Sequence, residues 1–212
     1  MRRPPEVRAG WSKTLLGGVD ALPESARHAA LAALGPESRK LIESSINLRW
    51  IAIKPHMELL RSVRAHLPEE AYVAYFARAM RSALGTGGVF GKAAAAALRW
   101  LTDDPFAVLR YVPTSAAYIF RGVGTIALEE AGPDALRVVH TGWPPALGGG
   151  DEFWLGWLGS LEAVMEAGIA GRPLEAHVRL ESVDEAAARA VFRCEVARAP
   201  LKARRGARGC AP

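Results

Sequence analysis

The feature that most constrains this chain is a change of hydrophobic period between residues 153 and 196. Trp154, Trp157, Leu158, Leu161, Val164, Met165 and Gly168 recur at three- and four-residue spacing, which places them along one stripe of a helix. The period then becomes two. Ala176, Val178 and Leu180 alternate with His177, Arg179 and Glu181, and Ala190, Phe192, Cys194 and Val196 alternate with Val191, Arg193, Glu195 and Ala197. Period two marks strands with one buried face. A chain with this run has to set a long apolar helix against strands that need covering on one side.

Upstream, the punctuation is that of helices. Trp11 to Leu22 predicts a short helix, which Gly17 and Gly18 each weaken by roughly 1 kcal/mol relative to alanine. Pro23 opens a helix to Leu34, Pro36 another to about Ile46, and Asn47 to Ile53 reads as an extended approach to Pro55. The helix from Pro55 carries Met57, Leu59, Leu60 and Val63; the next, opened by Pro68-Glu69-Glu70, carries Tyr72, Val73, Phe76, Met80 and Leu84. Gly85-Thr86-Gly87-Gly88 ends it, and Phe90 to Leu101 and Phe106 to Phe120 continue in helical spacing. After Gly122, Val123 to Glu130 and Leu136 to Thr141 alternate around Ala131-Gly132-Pro133-Asp134, which predicts a hairpin. The expectation is an α+β fold: an N-terminal helical half, then a β-β-α-β-β four-stranded antiparallel sheet packed on helices. Residues 11–200 are expected to form one ligand- or partner-binding domain, after a flexible N-terminus at 1–10 and before a basic, disordered tail at 201–212.

Charge and cysteine content narrow the chemistry. The net charge of +5 resides in the ends: Lys202, Arg204, Arg205 and Arg208 in the tail, Arg2, Arg3 and Arg8 against Glu6 at the start. The body is close to neutral, so nucleic acid is not its expected partner. Cys194 and Cys210 make no disulfide framework, and the five histidines, His28, His56, His66, His140 and His177, show no ligand spacing, so no metal is expected. No apolar run of membrane-spanning length occurs, and Pro4, Pro5 and Glu6 stand where a leader would turn apolar. A cytoplasmic protein is the expectation.

Catalytic patterns fail on inspection. Gly91-Lys92 would need a glycine at 86 and a hydroxyl at 93 to make a phosphate loop; the residues are Thr86 and Ala93. Gly156-Trp157-Leu158-Gly159-Ser160 misplaces the serine of a nucleophile elbow, which leaves Ser160 as a small residue at a packing contact. The carboxylate pairs 69–70, 103–104 and 129–130 are adjacent, and neighbours in a helix or strand point apart. The three apolar residues from Phe153 to Leu155 exceed what one stripe needs, so Trp154 and Trp157 read first as core and, as the alternative, as a partly exposed aromatic patch at a pocket mouth or a dimer interface.

Three short runs carry a resemblance: Asp104-Pro105 through Leu109-Arg110-Tyr111-Val112-Pro113, the Arg121-Gly122 exit into a strand ending Glu129-Glu130, and Trp157 to Gly159. They resemble a paralogous family abundant in myxobacteria. That family is similar to the superfamily of four-vinyl-reductase ligand domains, TRAPP small subunits and haem nitric-oxide-binding domains. The resemblance implies a ligand- or partner-binding α+β domain that dimerises through its helical face. It does not imply haem, because the haem binders' axial histidine and Tyr-x-Ser-x-Arg element have no match: Arg99 and Trp100 stand on the helix where the histidine is expected.

The reading is a non-enzymatic sensor or adaptor domain, self-associating, without cofactor. Trp154, Trp157, Leu161, Met165 and Phe192 are expected around a small apolar ligand, with Tyr72 and Phe76 on a partner surface. Two other readings stay open: an enzyme using His140 beside Trp143 or Arg121, and a nucleic-acid-associated regulator using the basic tail.

Overall fold

The computed structural model describes residues 4–85, 104–148 and 150–199. The predicted helix at 90–101, the phosphate-loop comparison, Arg99 and Trp100, and the basic tail lie outside the described residues.

The chain begins with strand β1 (Glu6–Arg8) and runs through helices α1 (Ala9–Gly18), α2 (Glu24–Ala33) and α3 (Pro36–Ser44) to strand β2 (Trp50–Ala52). Helices α4 (Ile53–Arg64) and α5 (Glu69–Gly85) follow. After the 3-10 turn Leu109–Tyr111 come α6 (Val112–Ile119) and β3 (Phe120–Arg121). The remainder is β4 (Thr125–Gly132), β5 (Ala135–Thr141), α7 (Asp151–Ile169), β6 (Leu174–Asp184) and β7 (Arg189–Arg198). The architecture is α+β, with an antiparallel sheet in the order β4-β5-β7-β6 and α7 as the crossover between its two hairpins. No described helix is long and apolar enough to cross a membrane.

Alternation sets the faces of this sheet. Ile126, His140 and Ala190 align across β4, β5 and β7, as do Leu128, Val138, Phe192 and Leu180 across all four strands. This face packs against α7 at β6 and β7 and against α6 at β4. The opposite face carries charge, with Arg137 held bidentate by Glu181 at 2.7 and 2.9 Å and Arg193 by Glu195 at 2.6 Å. Helix α7 is buried on more sides than its predicted stripe, because α5 crosses its other face. There the absence of side chains sets the spacing: a Cβ at Gly159 would stand 2.1 Å from the Val73 carbonyl oxygen, and one at Gly156 2.8 Å from the Phe76 ring. Ser160 is buried in this contact and its hydroxyl donates to the Gly156 carbonyl at 2.8 Å, the packing role its size predicts.

The N-terminal segment from Glu6 and the helical half need correcting. Instead of a loose N-terminus followed by helix alone, β1 is the central strand of a second sheet ordered β2-β1-β3. Val7, opposite Ile51 on one side and Phe120 on the other, is wholly buried. Burial of this one side chain, with the backbone pairs around it, fixes a segment whose polar, proline-bearing composition reads as free. On the rim, Trp50 lies under both Arg8 and Arg121, whose guanidinium carbons are 4.0 and 3.8 Å from its ring centroid.

Candidate functional site

Strand β3 places Phe120 where the two halves of the molecule meet. Its ring stands edge-on to His56 of α4 at 5.8 Å and to Phe153 of α7 at 5.6 Å, and tilted to Trp157 at 6.3 Å. Phe153 continues the edge-on series to His140 of β5 at 6.0 Å. A chain of rings therefore joins a buried histidine of the helical half to a buried histidine of the sheet. Arg61 of α4, donating to Glu152 at 2.8 Å and to the Leu147 carbonyl at 2.6 Å, and Tyr72 of α5, donating to the Glu152 carbonyl at 2.8 Å, anchor the start of α7 that carries these rings.

Two cavities share Phe120 and Trp157 as a wall. The inner one, about 30 Å³, is bounded also by His56, Met80 and Phe153. It has room for roughly one or two waters. The outer cleft, about 160 Å³, runs between α6 and β4 and is lined by Val123, Gly124, Ile126 and His140. Two polar groups of the inner cavity are paired: Nδ1 of His56 with the Ser12 hydroxyl at 3.0 Å, and the Ser160 hydroxyl with the Gly156 carbonyl. His140 differs, being 2 % exposed with no hydrogen-bond partner at Nδ1. Burial pushes His56 down to about 3 and His140 down to about 4, so both imidazoles are neutral at pH 7. Close packing holds the cleft's floor, since a Cβ at Gly124 would meet the Thr141 carbonyl at 2.1 Å and the His140 ring at 2.9 Å.

The structure divides the expected ligand residues. Trp157 is half-buried and lines both cavities at the seam. Trp154 lines a different cavity, near the β6–β7 turn. Leu161, Met165 and Phe192 are sealed in the hydrophobic core. Tyr72 and Phe76 form no partner surface: both are buried, on the face of α5 that receives the start of α7 and its glycines. Their spacing was that of a core stripe, and α7 is what covers it. Of the residues considered for catalysis, His140 does sit beside Trp143, at 6.3 Å between rings, but Arg121 is stacked on Trp50 in the other sheet. His56 and Phe120 are site residues that the sequence does not single out, whereas Phe153 belongs to the aromatic surplus noted there. Burial of His56 had one available signal, its place among the apolar positions of α4, whereas Ser12 is 44 residues away and gives none.

Haem, which the resemblance brings into question, does not fit either cavity at the seam. Haem iron takes an axial His, Cys, Met or Tyr. The inner cavity beside His56 is of water size, and the cleft beside His140 is below the roughly 300 Å³ at which drug-sized ligand pockets begin. Neither lining offers a lysine or arginine for propionates. Buried Tyr72 and Tyr75 are engaged with the carbonyls of Glu152 and Leu15, and burial pushes the Cys194 thiol up to about 12. The segment 86–103 contains no His, Cys, Met or Tyr in its sequence. Among the described residues no group of three or more His, Cys, Asp or Glu is placed to hold a metal ion.

No family model and no curated protein matches the chain. Solved structures do. The unliganded Fe(II) H-NOX protein from K. algicida superposes with a TM-score of 0.58 at 12% identity, over 90% of this chain and 96% of that one. The H-NOX protein from S. oneidensis in its Fe(II)NO ligation state gives 0.55 at 10% identity, over 89% and 98%. A Cs H-NOX variant gives 0.58 at 9%, over 89% and 96%. At such identities the likeness is one of fold, and it extends along nearly the whole of both chains. The myxobacterial kinship and the reductase and TRAPP branches rest only on the short runs quoted above; the chain has an H-NOX-like α+β fold.

Proposed function

We propose that the chain is a non-enzymatic sensor domain that takes a small, largely apolar molecule with one hydrogen-bonding group into the cleft beside Trp157. The observation that carries this reading is the unpaired, buried Nδ1 of His140, a residue that lines a mainly apolar cleft. A buried polar atom left without a partner costs about 1–3 kcal/mol, and a ligand that pairs with it recovers that cost as affinity. Because His140 is neutral, the matching ligand is neutral too: its group donates to, or accepts from, whichever nitrogen is free in the tautomer present. The H-NOX-like fold supports a ligand-binding sensor, and the solved neighbours are described as Fe(II) proteins, one with NO bound. The ligand proposed for this chain is not haem, for the reasons of donor set and space given above.

The reading takes β1 together with residues 11–200 as one unit. Phe120 supplies its output, since it walls the ligand cleft and pairs with Val7 in the small sheet. An adaptor or self-associating role would act through that sheet or another exposed face, and not through Tyr72 and Phe76.

Titration with indole, phenol and cyclohexanol, followed by tryptophan fluorescence and by imidazole nitrogen NMR, tests the assignment. At least one should bind saturably and shift the His140 resonances, and His140→Leu should weaken it about tenfold or more, the worth of one buried hydrogen bond. Binding that is equal in wild type and His140→Leu, or absent for all three probes, would overturn the reading.

A further inference from the structure

A third cavity, of about 220 Å³, lies where the loop before α7 meets the β6–β7 turn. It shares no residue with the cleft at the seam, and its lining includes Trp154, whose Nε1 is the second buried side-chain polar atom without a partner among the described residues. Trp154 is 2 % exposed, so its indole N–H is withdrawn from bulk water. The neighbouring indole of Trp143, 5.3 Å away ring to ring, makes the contrast plain, because its N–H donates to the Gly148 carbonyl at 3.0 Å. Gly150, at φ +82°, keeps space beside both nitrogens: a Cβ there would stand 3.1 Å from Nε1 of Trp154 and 3.2 Å from Nε1 of Trp143.

The rest of the lining is chemically divided. Asp184 and Glu185 supply carboxylates from the turn, Arg189 supplies a guanidinium, and Trp143 and Val183 supply apolar wall. The turn is fixed in place. Asp184 accepts from the Ala187 amide at 2.9 Å, Ala188 stands at φ +49°, and its carbonyl accepts from the Gly142 amide at 2.9 Å. Arg189 has only a long ion pair, 3.9 Å to Glu129, and so retains donors for a ligand.

We infer that this cavity is a binding site for a free α-amino acid with an apolar side chain. A ligand bearing only a cation would leave the Trp154 N–H unpaired, and one bearing only an anion would face two carboxylates. A zwitterion answers both. Its ammonium is recognised by Asp184 and Glu185, its carboxylate by the Trp154 N–H and Arg189, and its side chain lies on the Trp143 ring and Val183. The site shares no lining residue with the seam cleft and takes a different class of ligand, so either reading can fail without the other.

Calorimetric titration of the full chain with alanine, valine, leucine, isoleucine, methionine and phenylalanine, each alone, tests the inference. At least one should bind saturably, and its N-acetyl derivative and its decarboxylated amine should each bind about tenfold more weakly or worse, the loss expected for one charge-assisted contact. Trp154→Phe, which removes the N–H and keeps a ring, should weaken binding by a similar factor. So should the double change Asp184→Asn with Glu185→Gln, at exposed turn positions that serve as the control should Trp154→Phe misfold. No binding by any of the six, equal binding of the N-acetyl form, or indifference to the turn substitutions would overturn the inference.

Discussion

The two buried histidines place the halves of this molecule side by side. His56 and His140 are both neutral through burial, and both meet aromatic edges, His56 that of Phe120 and His140 those of Trp143, Phe153 and Trp154. They differ in one atom's circumstances. Nδ1 of His56 is closed by Ser12, and Nδ1 of His140 is open. In the helical half a polar residue has been absorbed into the architecture with its hydrogen bond made inside the fold. In the sheet half the equivalent bond has been left unmade beside a cleft, at a cost to stability that a ligand can return. Burial and a depressed pKa alone therefore do not mark a site; the unmet hydrogen bond does.

The comparison presumes that both halves share one core, and Gly159 is where that can be broken most severely. The Cβ of Gly159→Ala would lie 2.1 Å from the Val73 carbonyl oxygen, so α7 would have to leave α5 and carry Phe153 and Trp157 with it. Overpacking of this kind costs about 3 kcal/mol. Denaturant unfolding of the variant should show one transition at a clearly lower midpoint. Two separate transitions would mean that the histidines belong to independently stable units, and the comparison between them would lose its basis.

Acid provides the next largest effect. Both folded-state values lie below the ordinary value of 6.5, so below pH 6.5 the unfolded chain binds protons that the folded chain refuses. The stabilisation is complete above pH 6.5 and is lost as pH falls, down to about 4 for His140 and about 3 for His56. Between pH 6 and 4 the two histidines together should remove a few kcal/mol. His140→Leu should reduce the slope of stability against pH in that window by one proton's worth, whatever the carboxylates add, because they are common to both proteins. An unchanged slope would show that His140 reaches protons in the folded state, and that it is not the sealed counterpart of His56.

Legibility followed sequence distance. The four-stranded sheet and α7 were readable because each alternation or helical stripe is long enough to repeat, and the observed ends fall close to the predicted ones: Thr125–Gly132 for Val123 to Glu130, Arg189–Arg198 for Ala190 to Val196. Of the small sheet only β2 was readable, within the extended stretch at 47–53, since β1, β2 and β3 have three, three and two residues, too few to display a period, and their pairing joins Val7 to Ile51 and Phe120. The site divides in the same way. Trp157 declared itself as an aromatic surplus on α7, and His140 was on the inward face of β5 with Leu136 and Val138, although its unmet bond is a property only of coordinates. Tyr72 and Phe76 were misassigned for the opposite reason: their core spacing was plain, and what was missing was the glycine-bearing helix that covers them.

The smallest effect is the sharpest test of the contrast. Ser12→Ala gives His56 the condition in which the fold leaves His140, a buried nitrogen with nothing to bond, and should cost about 1–3 kcal/mol in denaturant unfolding. His140→Leu removes a nitrogen that is already unpaired and replaces the ring by an apolar side chain in apolar surroundings, so its stability should stay within about 1 kcal/mol of wild type or rise. Repeating Ser12→Ala in a His56→Leu background isolates the pair, because the serine's contribution there should fall to nearly nothing if its bond to His56 is the source of the loss. A costly His140→Leu would mean that the sheet-half imidazole is a structural member like its counterpart. Its open nitrogen would then no longer count as evidence for a ligand.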